Sequence, residues 1–214
     1  MKGKFITIEG GEGTGKSTQL NLLVDYLQAK NLDVITTKEP GGTEVGLEIR
    51  KILLTGDKDK MDPIAEALMY YADRRIHLVQ KILPALDEGK WVISDRFADS
   101  TMAYQYYGYN KRVSKEVLTE LHEMVVGDDN PDLTIIFDID PKVGIARSFK
   151  KADGEIVKET RFETKGMEFH NNMRQGFLEI AKTDPKRYVV LDADKTIEDL
   201  HKDVIGLISE RFNL

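Results

Sequence analysis

Residues 5–18 hold the feature that most constrains what this chain can fold into. An apolar, β-prone run leads into Gly-Gly-Glu-Gly-Thr-Gly-Lys-Ser at residues 10–17, and an amphipathic stretch follows. A glycine-rich turn between a strand and a helix can point backbone N–H groups and the helix N-terminus at phosphate oxygens. Lys16 is then expected to reach the β- and γ-phosphates and the Ser17 hydroxyl to ligate Mg²⁺, roles that a glycine turn without a ligand would not explain. The predicted nucleotide-binding residues of this loop are Gly10, Gly11, Glu12, Gly13, Thr14, Gly15, Lys16, Ser17 and Thr18.

The bulk composition limits the possible classes of function. With 214 residues the chain has enough length for one domain, 1–214, with a buried core. Its net charge of −6 argues against a broad nucleic-acid-binding surface, so any site for a polyanion must be local. Cysteine is absent, which suits a reducing cytosol, and no stretch approaches a membrane span. We therefore expect a cytoplasmic protein without a nucleic-acid or membrane partner.

Short runs rich in Ile and Val alternate with helical patterns along the whole chain. This alternation predicts an α/β fold of the P-loop type, with three layers and a five-stranded parallel sheet surrounded by helices. Ligands of such sheets bind at the carboxyl ends of the strands. The predicted strands are 4–9, 33–37, 91–94, 133–138 and 188–191. The predicted helices are 15–28, 45–54, 64–87, 115–125, 142–149, 163–182 and 197–212.

Polar motifs follow two of these predicted strands. The third strand ends in Asp95 and Arg96, a carboxylate and a guanidinium that together can serve a metal and a phosphate. A solvated ion pair is about equally plausible from the residues alone, and the position at the ligand-binding edge favours function. The second strand is followed by Lys-Glu-Pro-Gly-Gly-Thr at residues 38–43, which on its own indicates an ordinary turn.

Two further segments allow both a functional and a purely structural interpretation. Tyr70 and Arg74 lie four residues apart on one face of a predicted helix, where a ring can stack on a base and a guanidinium can bind a carbonyl. From the residues alone, ordinary helix packing is the favoured explanation of the pair. Residues 147–161 are rich in Arg and Lys and predict either a solvated loop or the basic lid of a phosphoryl-transfer enzyme.

Taken together, these motifs resemble the thymidylate kinase family over almost the whole chain. The most specific match is Asp-Arg-Phe at residues 95–97 followed by Asp-Ser-Thr-Met-Ala-Tyr-Gln at residues 99–105. Other matches are Glu-Pro-Gly-Gly-Thr at 39–43, Ala-Leu-Met-Tyr at 67–70, Asp-Arg-Arg at 73–75, Arg-Phe-Glu at 161–163 and Glu-Phe-His at 168–170. The resemblance implies a phosphotransferase that moves the γ-phosphoryl group of ATP to dTMP with Mg²⁺, giving dTDP and ADP.

The resemblance also implies a role for each matching residue. Glu12 would engage the sugar 3′-hydroxyl and the metal-phosphate region, Arg96 and Arg50 the acceptor phosphate, and Ser17 and Asp95 the metal. Tyr70 would stack on thymine, Arg74 would contact a thymine carbonyl, and Tyr104 would crowd out a ribose 2′-hydroxyl. Arg147 would lie beside ATP, with residues 192–194 near adenine. The implied acceptor-binding residues are Glu39, Pro40, Arg50, Tyr70, Arg74, Arg96, Ser100, Thr101, Tyr104 and Gln105.

The positions of the basic residues resemble the bacterial type of this family. The phosphate loop contains no arginine, whereas the predicted lid at 147–161 is basic, which makes Arg161 the expected lid cation near the transferring phosphate. Lys16, Arg96, Glu12 and Arg161 are thus the implied catalytic residues, and a homodimer is the implied assembly. Lys38 and Tyr70 depart from the usual arginine and phenylalanine of the family.

Three alternative functions compete with this interpretation. Another nucleoside monophosphate kinase, acting on dUMP, UMP or CMP, is the nearest of them. A nucleotide switch or partner-binding ATPase is disfavoured because the chain lacks Asn-Lys-x-Asp and carries an acceptor-site constellation. A catalytically dead binding module is disfavoured by the intact Lys16, Ser17, Asp95 and Arg96.

Overall fold

A computed structural model describes residues 3–152 and 161–214 of the chain. Its strands are β1 (Phe5–Gly10), β2 (Val34–Lys38), β3 (Trp91–Asp95), β4 (Leu133–Asp138) and β5 (Tyr188–Asp192). Its helices are α1 (Lys16–Ala29), α2 (Glu44–Leu54), α3 (Pro63–His77), α4 (Leu83–Asp87), α5 (Ala98–Thr101), α6 (Lys115–Val125), α7 (Pro141–Ala152), α8 (Met167–Ala181) and α9 (Ile197–Phe212). Two π-helical segments, π1 (Leu78–Ile82) and π2 (Met102–Gly108), complete these elements.

The five strands form one parallel sheet in the order β2-β3-β1-β4-β5. The chain passes from β3 on one side of β1 to β4 on the other, so the carboxyl end of β1 lies at the switch point of the topology. Ligands of open parallel sheets bind at such a point. The predicted three-layer α/β fold and its five strands are therefore confirmed.

Strand β1 is buried on both faces, which explains its uninterrupted apolar run. Ile6 and Ile8 pack with Leu23 of α1 and Val204 of α9. Phe5 belongs to a second cluster on the opposite face, with π1 and α6. Full burial of one such aliphatic side chain contributes about 1.5–3 kcal/mol, so this central strand anchors the loop that follows it.

The helices agree with the sequence prediction, with three informative differences. The single helix predicted at 64–87 is divided into α3, π1 and α4, and it begins after Asp62, whose carboxylate accepts from the backbone N–H groups of Ile64 and Ala65. The helix predicted from residue 163 begins only at Met167, because Thr164 and its neighbours form turns.

None of the helices within residues 3–152 and 161–214 has the length and apolar character needed to cross a bilayer.

The third difference is α5 with π2, which the sequence analysis treated only as a motif. Tyrosines are frequent in π2 and no capping side chain marks its start, so local signals are weak. Its stability comes from packing against α8, where a Cβ on Gly176 would lie 2.5 Å from the ring of Tyr107. Only glycine permits this close approach of the two helices.

Candidate active site

The phosphate loop connects β1 to α1 at the switch point of the sheet. Gly13 has φ +65°, and a Cβ there would lie 1.9 Å from the carbonyl oxygen of Gly144, so the loop requires glycine at this position. Lys16 Nζ donates to the carbonyl oxygens of Gly10 at 3.1 Å and Gly11 at 2.6 Å. The ammonium group is thus hydrogen-bonded to the same loop with which it is expected to bind phosphate.

Burial makes this lysine unusual. Removal from water and the nearby charge of Arg96 lower the pKa of Lys16 to about 8, against the attraction of Asp95, Glu12 and Glu9. The side chain is therefore charged at neutral pH, but it holds its proton weakly until an anion arrives.

Asp95 and Ser17 form the predicted metal-binding pair. The Ser17 hydroxyl donates to Asp95 Oδ2 at 3.1 Å, and both residues line the cleft in front of the phosphate loop. No group of three or more His, Asp or Glu side chains within the described ranges forms a metal centre of its own. A hydroxyl and one carboxylate nevertheless fit Mg²⁺, which takes few protein oxygens and completes its shell with phosphate and water.

Arg96 occupies the corner between β3 and α5 in a conformation that is rare for non-glycine residues. Its φ is +72°, a strain of about 1–3 kcal/mol that characteristically marks functional positions. Nη1 donates to the carbonyl oxygen of Gly10 at 2.8 Å and to the hydroxyl of Ser100 at 3.1 Å, and the guanidinium lies 5.0 Å from the ring centre of Tyr104. The side chain is held at the loop while part of its fork stays open to the cleft.

Glu9 supports this corner from the end of β1. Its carboxylate accepts from the backbone N–H of Phe97 at 2.8 Å and from the N–H and hydroxyl of Ser100 at 3.3 and 2.5 Å. Burial and the charge of Asp99 raise the pKa of Glu9 to about 7, although Arg96 and these hydrogen bonds oppose the rise. Glu9 positions Ser100 and the start of α5, a role that the sequence analysis did not assign to it.

Glu12 lies at the centre of the site with three partners. The Tyr104 hydroxyl donates to Oε1, Arg96 Nη2 lies 3.7 Å from Oε1, and His170 Nδ1 lies 3.5 Å from Oε2. Burial alone would raise the pKa of Glu12, but His170, Arg96 and Tyr104 outweigh it and hold the pKa at about 2. Glu12 is consequently a carboxylate throughout the neutral range.

A second cavity, of about 140 Å³, opens beside this corner, and we call it the acceptor pocket. All ten residues predicted to bind the acceptor line it. Two of them keep a buried polar atom without a partner in the described structure, a donor at Arg74 Nη1 and an acceptor at Gln105 Oε1. Buried groups of this kind cost free energy until a ligand pairs with them, which makes the pocket a binding site for a ligand with a complementary edge.

Arg74 is fixed by its other nitrogens. Nε donates to Glu39 at 2.8 Å, and Nη2 donates to the Phe97 carbonyl at 3.0 Å and the Thr101 hydroxyl at 3.1 Å. Glu39 is in turn 2.9 Å from His77 Nδ1. The wall of the pocket is therefore a network of hydrogen bonds that joins the turn after β2 to α3 and α5.

The acceptor pocket and the cleft in front of the phosphate loop meet. Arg50 is held there by a 2.8 Å hydrogen bond to the Pro40 carbonyl. Two ligands bound in these cavities would face each other where the carboxylates and arginines converge. The residues that line both cavities are Glu12, Glu39, Arg50, Arg96 and Glu163.

Arg147 lines the cleft in front of the phosphate loop. Its guanidinium donates to the Ala193 carbonyl at 3.3 Å and to Asp194 at 3.2 Å, so the arginine expected beside ATP contacts the region expected near adenine. The rest of the predicted lid is only partly described. Asp153, Gly154 and Lys158, which belong to it, lie outside the described residues.

The position of Arg161 does not support its predicted role as a lid cation at the transferring phosphate. Its guanidinium is buried, donates to the carbonyl oxygens of Leu53 at 3.0 Å, Asp57 at 3.1 Å and Lys58 at 3.0 Å, and pairs with Glu66. The end of α2 and the following loop present carbonyls without helical partners, and the five donors of an arginine satisfy them. We correct its role to that of a structural clamp.

Sequence reasoning also missed several residues of the site. Leu54, Phe162 and Glu163 line the acceptor pocket, and His170 contacts Glu12. Phe162, Glu163 and His170 stand inside motifs that carried the family resemblance, so a signal existed. Leu54 is one apolar residue at the end of a helix and carries no such signal.

The fold and the two facing cavities define a P-loop phosphotransferase with separate places for a donor and an acceptor nucleotide. A model of the protein family described as "Thymidylate kinase" matches residues 8–204. The chain belongs to the thymidylate kinase family, and it transfers the γ-phosphoryl group of ATP to dTMP, giving dTDP and ADP.

Individual relatives agree with this family. The chain is 43% identical over 212 residues to "Thymidylate kinase" of Desulforapulum autotrophicum, covering 98% of this chain and 92% of that protein. It is 39% identical over 213 residues to the protein of the same name from Halalkalibacterium halodurans, covering 100% and 99%. The crystal structure of thymidylate kinase from Ehrlichia chaffeensis superimposes with a TM-score of 0.76 at 34% identity, covering 98% of this chain and 99% of that one.

Proposed function

We propose that ATP binds with Mg²⁺ in the cleft of the phosphate loop, that dTMP binds in the acceptor pocket, and that their phosphates meet beside Glu12 and Arg96. The observation that carries this proposal is the set of residues shared by the two cavities, with two arginines among them. Direct in-line transfer then needs only that two anions be held end to end.

The orphaned polar atoms of the pocket support the placement of the base. Thymine offers a carbonyl oxygen at O4 and an N–H at N3, which complement the donor Arg74 Nη1 and the acceptor Gln105 Oε1. Tyr70 lines the same pocket and can stack on the ring, and burial raises its pKa so that the hydroxyl stays protonated. Glu39, Pro40 and Thr101 form the remaining wall.

A deoxyribose is favoured by the rigidity of Tyr104. Its hydroxyl donates to Glu12, and its ring packs edge-on against Phe162 and Phe169 at centroid distances of 5.3 and 6.0 Å. A side chain fixed in this way cannot move aside for an added 2′-hydroxyl. Glu12 Oε2 lies 3.5 Å from His170 Nδ1 and accepts no hydrogen bond from the described residues, so it is placed to accept from the sugar 3′-hydroxyl.

Neutralisation of charge is the chemical task of this site. The acceptor oxygen is already anionic, so no strong general base is required. Arg96 and Arg50 would hold the acceptor phosphate, while Lys16 would leave the loop carbonyls for the β- and γ-phosphates of ATP. Mg²⁺ held by Ser17 and Asp95 would neutralise charge on the phosphates.

A homodimer is part of the proposal, because α2, α3 and α6 leave large apolar side chains exposed. Leu47, Ile52 and Leu68 are 52%, 49% and 52% exposed, and Met124 of α6 is 77% exposed. Because α2 packs against α3 and α3 against α6, these exposed apolar residues lie on neighbouring helices, an arrangement typical of interaction surfaces. Light scattering should give twice the 24.3 kDa mass of one chain at micromolar concentration, and a value near 24 kDa would contradict the dimer. A cytoplasmic location, the absence of a nucleic-acid partner and a single domain stay predictions.

The proposal is tested by a screen of monophosphate acceptors with Mg-ATP. We expect dTMP to have the highest kcat/KM, and dUMP to follow at a cost of about 1–3 kcal/mol because it lacks one methyl group. UMP and dCMP should be much poorer, and removal of Mg²⁺ with a chelator should stop turnover. Equal values for dTMP and dCMP would contradict the placement of the base.

A further inference from the structure

The Gln105 side chain has one satisfied and one unsatisfied end. Nε2 donates to Glu66 Oε2 at 3.0 Å, whereas Oε1 is buried without a hydrogen-bond partner in the described structure. A carboxylate only accepts hydrogen bonds, so the amide nitrogen must stay on the side of Glu66. The carbonyl oxygen is therefore the end available to a ligand in the acceptor pocket.

Glu66 is held in place by groups outside the pocket. Its side chain is fully buried, and Oε1 accepts from Arg161 and from the Tyr109 hydroxyl at 2.9 Å. A buried ion pair is seldom more stabilising than apolar residues of the same volume, so stability alone does not explain it. Its geometric effect is specific, since it fixes a pure acceptor behind Gln105.

The orientation of this amide matters for the choice of base. A carbonyl at Gln105 and an N–H at Arg74 complement N3–H and O4 of thymine or uracil. Cytosine presents the reverse pattern, an acceptor at N3 and an amino group at C4. A reversed Gln105 amide would place a donor where cytosine offers an acceptor.

We propose that Glu66, held by Arg161, is a positioning residue that fixes the Gln105 amide and thereby makes the pocket reject cytosine nucleotides. The inference rests on the proposed placement of the base in the acceptor pocket. It assigns a purpose to the buried Glu66–Arg161 pair, neither member of which touches the substrate.

The test compares dTMP with 5-methyl-dCMP, which keeps the methyl group, sugar and phosphate and reverses only the pairing edge. In Glu66→Gln, the new amide can donate as well as accept, so Gln105 is free to turn over. We expect the ratio of kcat/KM for the two substrates, roughly 10⁴ in the unaltered enzyme, to fall by at least about tenfold, with a gain for 5-methyl-dCMP. Tyr109→Phe is the matched control, because it removes a bond to Glu66 but leaves a pure acceptor, and its ratio should stay near the wild-type value.

A structural role alone would give a different result. Activity toward both substrates would then fall in parallel with an unchanged ratio, which would overturn the proposal. An unaltered enzyme that turned over 5-methyl-dCMP as well as dTMP would instead contradict the proposed base site itself. The two failures are thus distinguishable.

Folding is controlled by a second variant and by the unaltered enzyme. Glu66→Gln leaves the Arg161 charge unpaired, so Glu66→Gln/Arg161→Met removes the pair together and should show the same fall in the ratio. In the wild-type protein, the nuclear Overhauser effects between the ¹⁵N-labelled side-chain amide of Gln105 and the side chain of Glu66 should be the same with and without dTMP, because the N–H groups stay on Glu66. A change of hydrogen-bond partner on binding would overturn the proposal, whichever variants fold.

Discussion

The phosphate loop and the acceptor pocket hold their cationic side chains in opposite ways. Lys16 donates to two carbonyl oxygens of its own loop, and we propose that it exchanges these hydrogen bonds for phosphate oxygens when a nucleotide binds. Arg74 is held by a carboxylate, a carbonyl and a hydroxyl, and its Nη1 amino group has no partner among the described residues. We therefore expect the loop to rearrange when phosphate binds, whereas the pocket is preorganised and binding there should cost little reorganisation. Substitutions in the two regions should differ accordingly.

The largest expected effect comes from Lys16→Met. The variant lacks the ammonium group of the phosphate loop, which we expect to stabilise the negative charge on the transferring phosphoryl group. Its kcat should therefore fall by at least about 10³-fold. The fold should survive, because a buried cation is replaced by an apolar chain of similar length. Steady-state kinetics and thermal unfolding measure both effects.

Lys30→Met is the matched control for this variant. Lys30 follows the far end of α1 and its ammonium lies 5.6 Å from the ring centre of Tyr26, so the same change of charge occurs away from the cleft. Its kcat should equal that of the wild type. A Lys16→Met enzyme with near-normal kcat would show that the loop does not rearrange around phosphate.

Arg96→Lys should have the next largest effect and a different signature. Lysine keeps the charge but loses the guanidinium fork that donates to Gly10 and Ser100 and that we propose also holds the acceptor phosphate. We expect kcat/KM for dTMP to fall by about 10²-fold, while KM for ATP changes little. Varying each substrate separately measures this.

Arg75→Lys provides the control on α3. Arg75 donates to the Val125 carbonyl at 3.1 Å and lines neither cavity in the described structure. Its kinetic constants should match those of the wild type. If Arg96→Lys raised KM for ATP as much as KM for dTMP, the division between donor and acceptor regions would be wrong.

The same comparison explains how much could be predicted from the sequence. The five strands and the phosphate loop are local signals, a buried apolar run and a glycine pattern, and both were confirmed. Helix π2 was not predicted, because its stability comes from the contact between Tyr107 and Gly176, which are 69 positions apart in the sequence. Periodicity cannot report a contact of this kind.

Within the site, it was easier to predict which residues line the acceptor pocket than to predict what each side chain contacts. Every predicted acceptor residue lines the pocket, and all of them except Arg50 stood in a motif. Arg161 also stood in a motif, yet its guanidinium turned to the carbonyls after α2 and to Glu66. Sequence shows that an arginine is present, but which acceptors satisfy it depends on tertiary structure.

The smallest expected effect concerns the pH dependence of stability, and it also separates the two regions. The unfolded chain keeps a proton on Lys16 up to a pKa near the ordinary 10.5, whereas the folded protein releases it from about pH 8. The unfolded state thus binds more protons in this window, so the free energy of unfolding contributed by Lys16 should rise with pH, by about 1 kcal/mol between pH 8 and 9. Arg74 should contribute nothing there, because its pKa is raised by Glu39 despite burial and it stays charged. Denaturant unfolding of the wild type and Lys16→Met at both pH values measures the contribution of Lys16. If the free energy of unfolding changed equally with pH in both proteins, the loop would not lower the pKa of its lysine.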